Sequence, residues 1–148
     1  MVAAEMRRVT RSGGVAACCT FDFWGGNSVL DLVLDTGAVL DESIQTLRSQ
    51  IKSRPIVRAG GQANLWHEVG LVQVLEAPIV LSFDYTNFDD YWSSFSTGST
   101  RLTQRLTALP SSMRTEINQR VRAGYLADLP DGARSFAVVV RAVCGTVP

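Results

Sequence analysis

The chain has 148 residues and a mass of 16.1 kDa, with 46% hydrophobic and 19% charged residues, the composition of one soluble globular domain spanning 1–148. Lysine plus arginine number 14 and aspartate plus glutamate 14, so there is no basic footprint for nucleic acid or an anionic membrane face. Apolar runs of about seven residues fall far short of the ~20 that cross a bilayer. Glu5, Arg7 and Arg8 sit where a signal peptide needs its apolar region, and the expected compartment is the cytoplasm.

Three cysteines (Cys18, Cys19, Cys144) and one histidine (His67) narrow the chemistry. An odd count and an adjacent pair argue against a disulfide framework, and the absence of C-x-x-C or H-x-x-x-H spacing argues against a structural zinc or other metal site. All three cysteines lie in apolar runs, where a thiol acts as a small buried hydrophobe. His67 reads as a surface or helix-end residue.

In chain order, Val2, Met6 and Val9 mark the apolar stripe of a helix to about Arg11, closed by Ser12-Gly13-Gly14. Val15 to Phe21 is an unbroken apolar run, read as a strand buried on both faces as in a parallel sheet. After a turn at Trp24 to Asn27, Ser28 opens a helix that turns Val29, Leu30, Val33 and Leu34 inward and ends near Gly37 or Leu40. Asp41 to Arg54 is a polar connection with helical character, and Gln62 to Glu68 is a short helix. Leu71 to Phe83 is a strand whose Pro78 places it at a sheet edge or a bulge. Phe88 to Phe95 forms aromatic helical turns. An amphipathic region follows with Leu102, Leu106 and Leu109, and beyond Pro110 with Met113, Ile117 and Val121. Pro130-Asp131-Gly132 is a turn. The last strand, Ser135 to Val143, again reads as buried on both faces.

Three strands of which two read as central leave one central strand without a neighbour, an exposed backbone edge that invites pairing. With a helix that begins at Met1 without an N-cap, this gives the expectation that the chain starts in the middle of a larger fold.

The residues themselves resemble a known family. Glu5-Met6-Arg7-Arg8-Val9-Thr10-Arg11-Ser12-Gly13-Gly14 followed by an apolar strand resembles the E-M-x-R-V-x-R-P-G-G segment of class I S-adenosylmethionine-dependent methyltransferases of the type 11 kind, with Ser12 in place of Pro. Phe21-Asp22-Phe23-Trp24-Gly25-Gly26 is similar to the W-D-Y-x-G-G step after strand five. Trp66 to Leu71 resembles the helix end before strand six, and Phe88-Asp89-Asp90-Tyr91-Trp92-Ser93-Ser94-Phe95 resembles a D-D-Y-W-x-x-F element. The resemblance covers essentially the whole chain. It implies an α/β fold, a partial Rossmann-like methyltransferase domain in which strands five, seven and six are Val15–Phe21, Ser135–Val143 and the Pro78 strand, with strand seven antiparallel between the other two. A self-sufficient α+β domain is the other architecture.

The resemblance also implies methyl transfer to a small, partly apolar acceptor, with S-adenosylmethionine as cofactor. The family's Gly-rich donor loop has no counterpart in the chain: Gly13-Gly14 closes a helix before a strand, the opposite polarity from a cofactor-cradling strand–loop–helix. The donor is therefore not expected to bind this chain alone, and the chain reads as the acceptor-side, C-terminal half. Of 12 aromatic residues, Phe21, Phe23 and Trp24, with Asp22, lie at the carboxyl end of a strand, where α/β sheets bind ligands. Together with Tyr91 and Trp92 they are the candidate substrate pocket; core packing is the plainer role for each aromatic, and a turn role for Asp22. No catalytic residue is assigned. The alternatives are a non-enzymatic interaction or small-ligand-binding module, or half of a split enzyme. The strand at Val15–Phe21 is where a second copy or a separate N-terminal half would pair.

Overall fold

A computed structural model describes residues 2–148. Its elements in order are helix α1 (Val2–Val9), strand β1 (Val15–Phe21), helices α2 (Ser28–Leu40) and α3 (Glu42–Lys52), a 3-10 turn at Pro55–Val57, helix α4 (Gly61–Glu68), strand β2 (Val72–Tyr85), helices α5 (Phe88–Ser96), α6 (Arg101–Ala108) and α7 (Ser111–Leu126), and strand β3 (Arg134–Thr146). The three strands form one antiparallel sheet in the order β1-β3-β2. β1 runs antiparallel to β3 from Val15 opposite Thr146 to Phe21 opposite Val140. The chain divides into two compact units: residues 2–27, 52–81 and 138–148 form unit one, and 28–51 with 82–137 form unit two.

Unit one is built on a cluster of Ala3, Ala16, Trp66, Leu71, Val143 and Val147, with Met6, Cys18 and Val74 packed against it. The cluster turns α1 away from its expected stripe. Ala3 is buried, whereas Val2 and Val9 are 77% and 65% exposed. Trp66 supplies the bulk of the cluster, and small alanines flank it.

β1 departs from expectation for a related reason. Its side chains alternate, with Val15, Ala17, Cys19 and Phe21 exposed and Ala16 buried. The strand is an antiparallel edge covered on one face only, so it is not buried on both faces, and Cys19 is an exposed thiol rather than a core residue. β3 does sit centrally, with Val140 and Val143 of opposite parity both buried. The Pro78 strand β2 lies at an edge of the sheet, the position to which proline is confined within sheets. Unit one thus sets the neutral apolar edge of β1 against a fully paired β3.

Unit two centres on Val33, Leu34, Ile44, Ile117 and Val121, all fully buried. Three of its helices start at side-chain caps that satisfy orphan amides. Asp41 Oδ1 accepts from the N–H groups of Ser43 and Ile44 at the start of α3. Asn87 accepts from the Asp90 N–H in α5, and Thr100 from the Thr103 N–H in α6. The Ser28 hydroxyl instead donates to the Ala137 carbonyl at 2.7 Å. α2 packs on α7 through Gly124, where a Cβ would come within 2.8 Å of Leu32.

Candidate functional site

Asp22 closes β1 and is 6% exposed, and its carboxylate is fully engaged. Oδ1 accepts the Trp24 N–H at 2.9 Å, which folds the chain back into the Asp22–Trp24 turn. Oδ2 accepts from Arg141 on β3, from Nε at 2.9 Å and from Nη2 at 2.7 Å. A two-pronged guanidinium contact of this kind fixes orientation as well as charge. The same arginine extends the cluster toward α4. Its Nη1 lies 3.9 Å from Glu76 Oε1. Glu76 in turn accepts from the Gly60 and Ala63 N–H groups at 2.9 Å each, capping α4 in place of a residue of the helix's own entry turn. Gln62, 3% exposed, donates to the Arg141 carbonyl and accepts from the Cys18 thiol. Burial, then the neighbouring Cys19, pushes the Cys18 thiol above its ordinary pKa, which makes it a poor nucleophile.

Asp22 is therefore a positioning residue for the turn that presents Phe23 and Trp24. Phe21 and Phe23 pack with ring centroids 5.9 Å apart. Trp24 is 53% exposed, with the Arg58 guanidinium 3.9 Å over its ring, a cation–π contact that holds the indole at the surface. All four candidates of this stretch meet in unit one. His67 is exposed in the last turn of α4.

Tyr91 and Trp92 belong to unit two, and adjacent positions on α5 send them to opposite fates. Tyr91 is fully buried. It stacks on Phe136 at 5.3 Å, meets Tyr85 edge-on at 5.2 Å, and packs against Phe88, Phe95 and Tyr125. Its hydroxyl donates to the Val29 carbonyl at 2.8 Å. Burial first, and then Tyr85 and Tyr125, raise its pKa well above the ordinary phenol value. Tyr91 is thus a core residue with its polar atom satisfied, and it lines no open pocket. Trp92 is partly exposed, stacked on Phe88 at 6.1 Å, and borders a groove between α5, α6 and α7.

The glycine pairs offer no cradle for S-adenosylmethionine. The Gly13 N–H donates to the Val147 carbonyl and the Gly14 carbonyl accepts from the Val147 N–H, both at 2.9 Å, so this pair continues the β1–β3 ladder. The Gly26 carbonyl accepts from Val139, and a Cβ on Gly26 would lie 2.8 Å from the Asp22 and Val139 side chains. Gly14 and Gly26 are closed by the chain's own atoms, whereas Gly13 and Gly25 face open space. Gly13-Gly14 follows a helix and precedes a strand, the reverse of a donor-cradling loop; Gly25-Gly26 lies between β1 and α2, but there Gly26 is packed against Asp22 and Val139. Among the described residues no cluster of three or more His, Cys, Asp or Glu side chains could hold a metal ion, and no helix is long and apolar enough to cross a membrane.

Arg141, Glu76 and Gln62 escaped sequence reasoning. Arg141 interrupts an apolar strand with a charge, and that interruption was the available signal, since a buried cation requires a partner. No protein-family profile and no curated protein sequence matches the chain.

Proposed function

We propose that this chain forms the acceptor side of a class I methyltransferase-like domain that transfers a methyl group from S-adenosylmethionine to a small, partly apolar acceptor. The donor site is supplied by a further segment pairing along β1. The observation that supports this reading most is the sheet order β1-β3-β2, with β3 antiparallel to β1 in the middle and the Pro78 strand at the edge. It is the order implied by the motif resemblance, and it leaves the outer backbone edge of β1 open to a partner strand. Methyl transfer is a displacement in which the acceptor's lone pair attacks the donor methyl and the demethylated donor leaves, and the protein mainly aligns reactants and excludes water; an acceptor that attacks in its deprotonated form asks no proton transfer of Asp22. The engaged state of Asp22 is compatible with such an acceptor. The residues offered to the acceptor are Phe23 and Trp24, presented by the Asp22 turn.

A second reading, a small-ligand-binding module without catalysis, draws support from the same satisfied carboxylates: Asp22 and Glu76 are both held by the chain's own donors. Two experiments separate the readings. Calorimetric titration of the chain with S-adenosylmethionine and its demethylated product should show no micromolar binding; micromolar binding by the chain alone would overturn the assignment of the donor site to another segment. Mixing the chain with a separately expressed donor-binding half, with a radiolabelled methyl donor and a panel of small apolar acceptors, should give transfer absent from either part. Failure across the panel, with the two parts shown to associate, would favour the binding module.

A further inference from the structure

Unit two carries a groove whose reading is independent of methyl transfer. Helices α5, α6 and α7 line this solvent-open groove of about 420 Å³, with Ser96, Thr107, Arg114 and Thr115 exposed along its rim, a volume within the range that holds small organic ligands. Its apolar wall comes from Trp92, Phe95 and Leu106. Phe95 and Leu106 are buried at 7% and 3% exposure, so they form the floor, whereas the partly exposed Trp92 forms a side. Trp92 is braced by its stack on Phe88, which fixes the indole without filling the groove.

One charged side chain lines this space. Arg114 donates from Nη1 to the Thr107 carbonyl at 3.1 Å, a contact that anchors the guanidinium across α6 and α7 but neutralises nothing. Among the described residues it has no carboxylate partner. Elsewhere in unit two Arg48 pairs with Asp35, Arg120 with Glu116 and Arg122 with Asp131, whereas Arg101 donates to Gln50 and Arg134 to backbone carbonyls; what sets Arg114 apart is its place beside Trp92, Phe95 and Leu106. Glu116, the nearest acid in sequence, is committed to Arg120. A tethered guanidinium with unused N–H donors beside an aromatic and aliphatic floor is chemically matched to an anion with an apolar body. Asn118 adds an amide at the same wall.

We propose that this groove is a binding site for a small monocarboxylate with an aromatic or branched aliphatic body, its carboxylate on Arg114 and its apolar part against Trp92, Phe95 and Leu106. A single cation favours a single carboxylate over a phosphate dianion, and a wall of two aromatic rings and a leucine favours an apolar body over a sugar.

The test uses the full chain with 3-phenylpropionate as probe and its neutral isostere 3-phenylpropanamide as control, followed by calorimetry and by amide and indole chemical shifts. The expected result is saturable binding with Kd on the order of 1 mM or tighter, with shifts confined to the Trp92 indole and the Thr107–Asn118 segment. The amide should bind about tenfold or more weakly, because the charge-assisted hydrogen bonds are lost. Arg114→Gln should produce the same loss, Arg114→Lys an intermediate one, and Arg120→Gln no change. Equal binding of acid and amide to the unaltered chain would overturn the proposal without any variant. So would lack of saturation at about ten times the expected Kd, or shifts located elsewhere.

Discussion

The two units bury their candidate residues by opposite means. In unit one the buried group is a charge: Asp22 is held by Arg141 and by the backbone of its own turn, with Glu76 and Gln62 completing a polar cluster. In unit two the buried group is a ring: Tyr91 sits among Tyr85, Phe88, Tyr125 and Phe136, with one hydroxyl to satisfy. The first depends on pairing and is lost when one partner is removed. The second depends on volume and is lost when a ring is removed. Deleting a partner and deleting a methylene should therefore rank differently in the two places.

The largest effect belongs to the ring. Tyr91→Ala leaves a cavity among five aromatic side chains and should cost about 4 kcal/mol, read as a lowered denaturant midpoint; a cost below about 1 kcal/mol would mean that the cluster collapses around the gap. Next is the charge. Arg141→Met leaves Asp22 buried without its cation and should cost about 2–3 kcal/mol, below the full buried-pair value because Arg141 retains some solvent contact. Adding Asp22→Asn to that variant should restore part of the loss, a coupling that independent sites would lack.

Much of this was legible from local pattern. Pro78 marks an edge strand, and Val15–Phe21 is a strand at the expected bounds. The faces were not legible. Val-Ala-Ala-Cys-Cys-Thr-Phe has no alternation, so nothing in it says that the odd positions are exposed; the neighbours β3 and α4 decide that. The helix α1 likewise shows a valine stripe, but the space beside Trp66 selects Ala3. The candidate site divided in the same way. Asp22 was legible as a turn residue, yet its partner Arg141 lies 119 positions away, and no local spacing encodes that pair. Tyr91 and Trp92 are equivalent in composition but a helix sends consecutive residues about 100° apart, so only one reaches the core.

Smaller effects sharpen the contrast. Tyr91→Phe keeps the ring and removes the hydroxyl, which should cost about 1 kcal/mol. It should also change the alkaline limb of the stability profile. The buried phenol ionises at higher pH than an unfolded tyrosine, so the folded state holds the proton longer. Its stabilisation is complete below about pH 10 and declines as pH rises beyond that point; in Tyr91→Phe this decline should flatten. On the acid side, Asp131 accepts the Phe88 N–H and pairs with Arg122, and these interactions hold its carboxyl below the usual carboxylate range. That contribution is present above about pH 4 and is lost as pH falls below it. Asp131→Asn should shallow the acid limb slightly, and an unchanged limb would show that the pair is screened at the surface.

The proposal that a further strand pairs along β1 requires that the outer backbone edge of β1 be open. The ladder contacts at Gly14–Val147 and Asp22–Val139 give the parity: even-numbered residues of β1 face β3, and odd-numbered ones face outward. Residue-resolved amide hydrogen exchange over a dilution series, with sedimentation to establish the monomer, tests this directly. The account predicts that in the monomer Ala16 and Cys18 are protected while Ala17 and Cys19 exchange rapidly, and that Ala17 and Cys19 become protected when a second copy or a donor-binding half is added. Ala17 and Cys19 as strongly protected as Ala16 and Cys18 in the isolated monomer would contradict it.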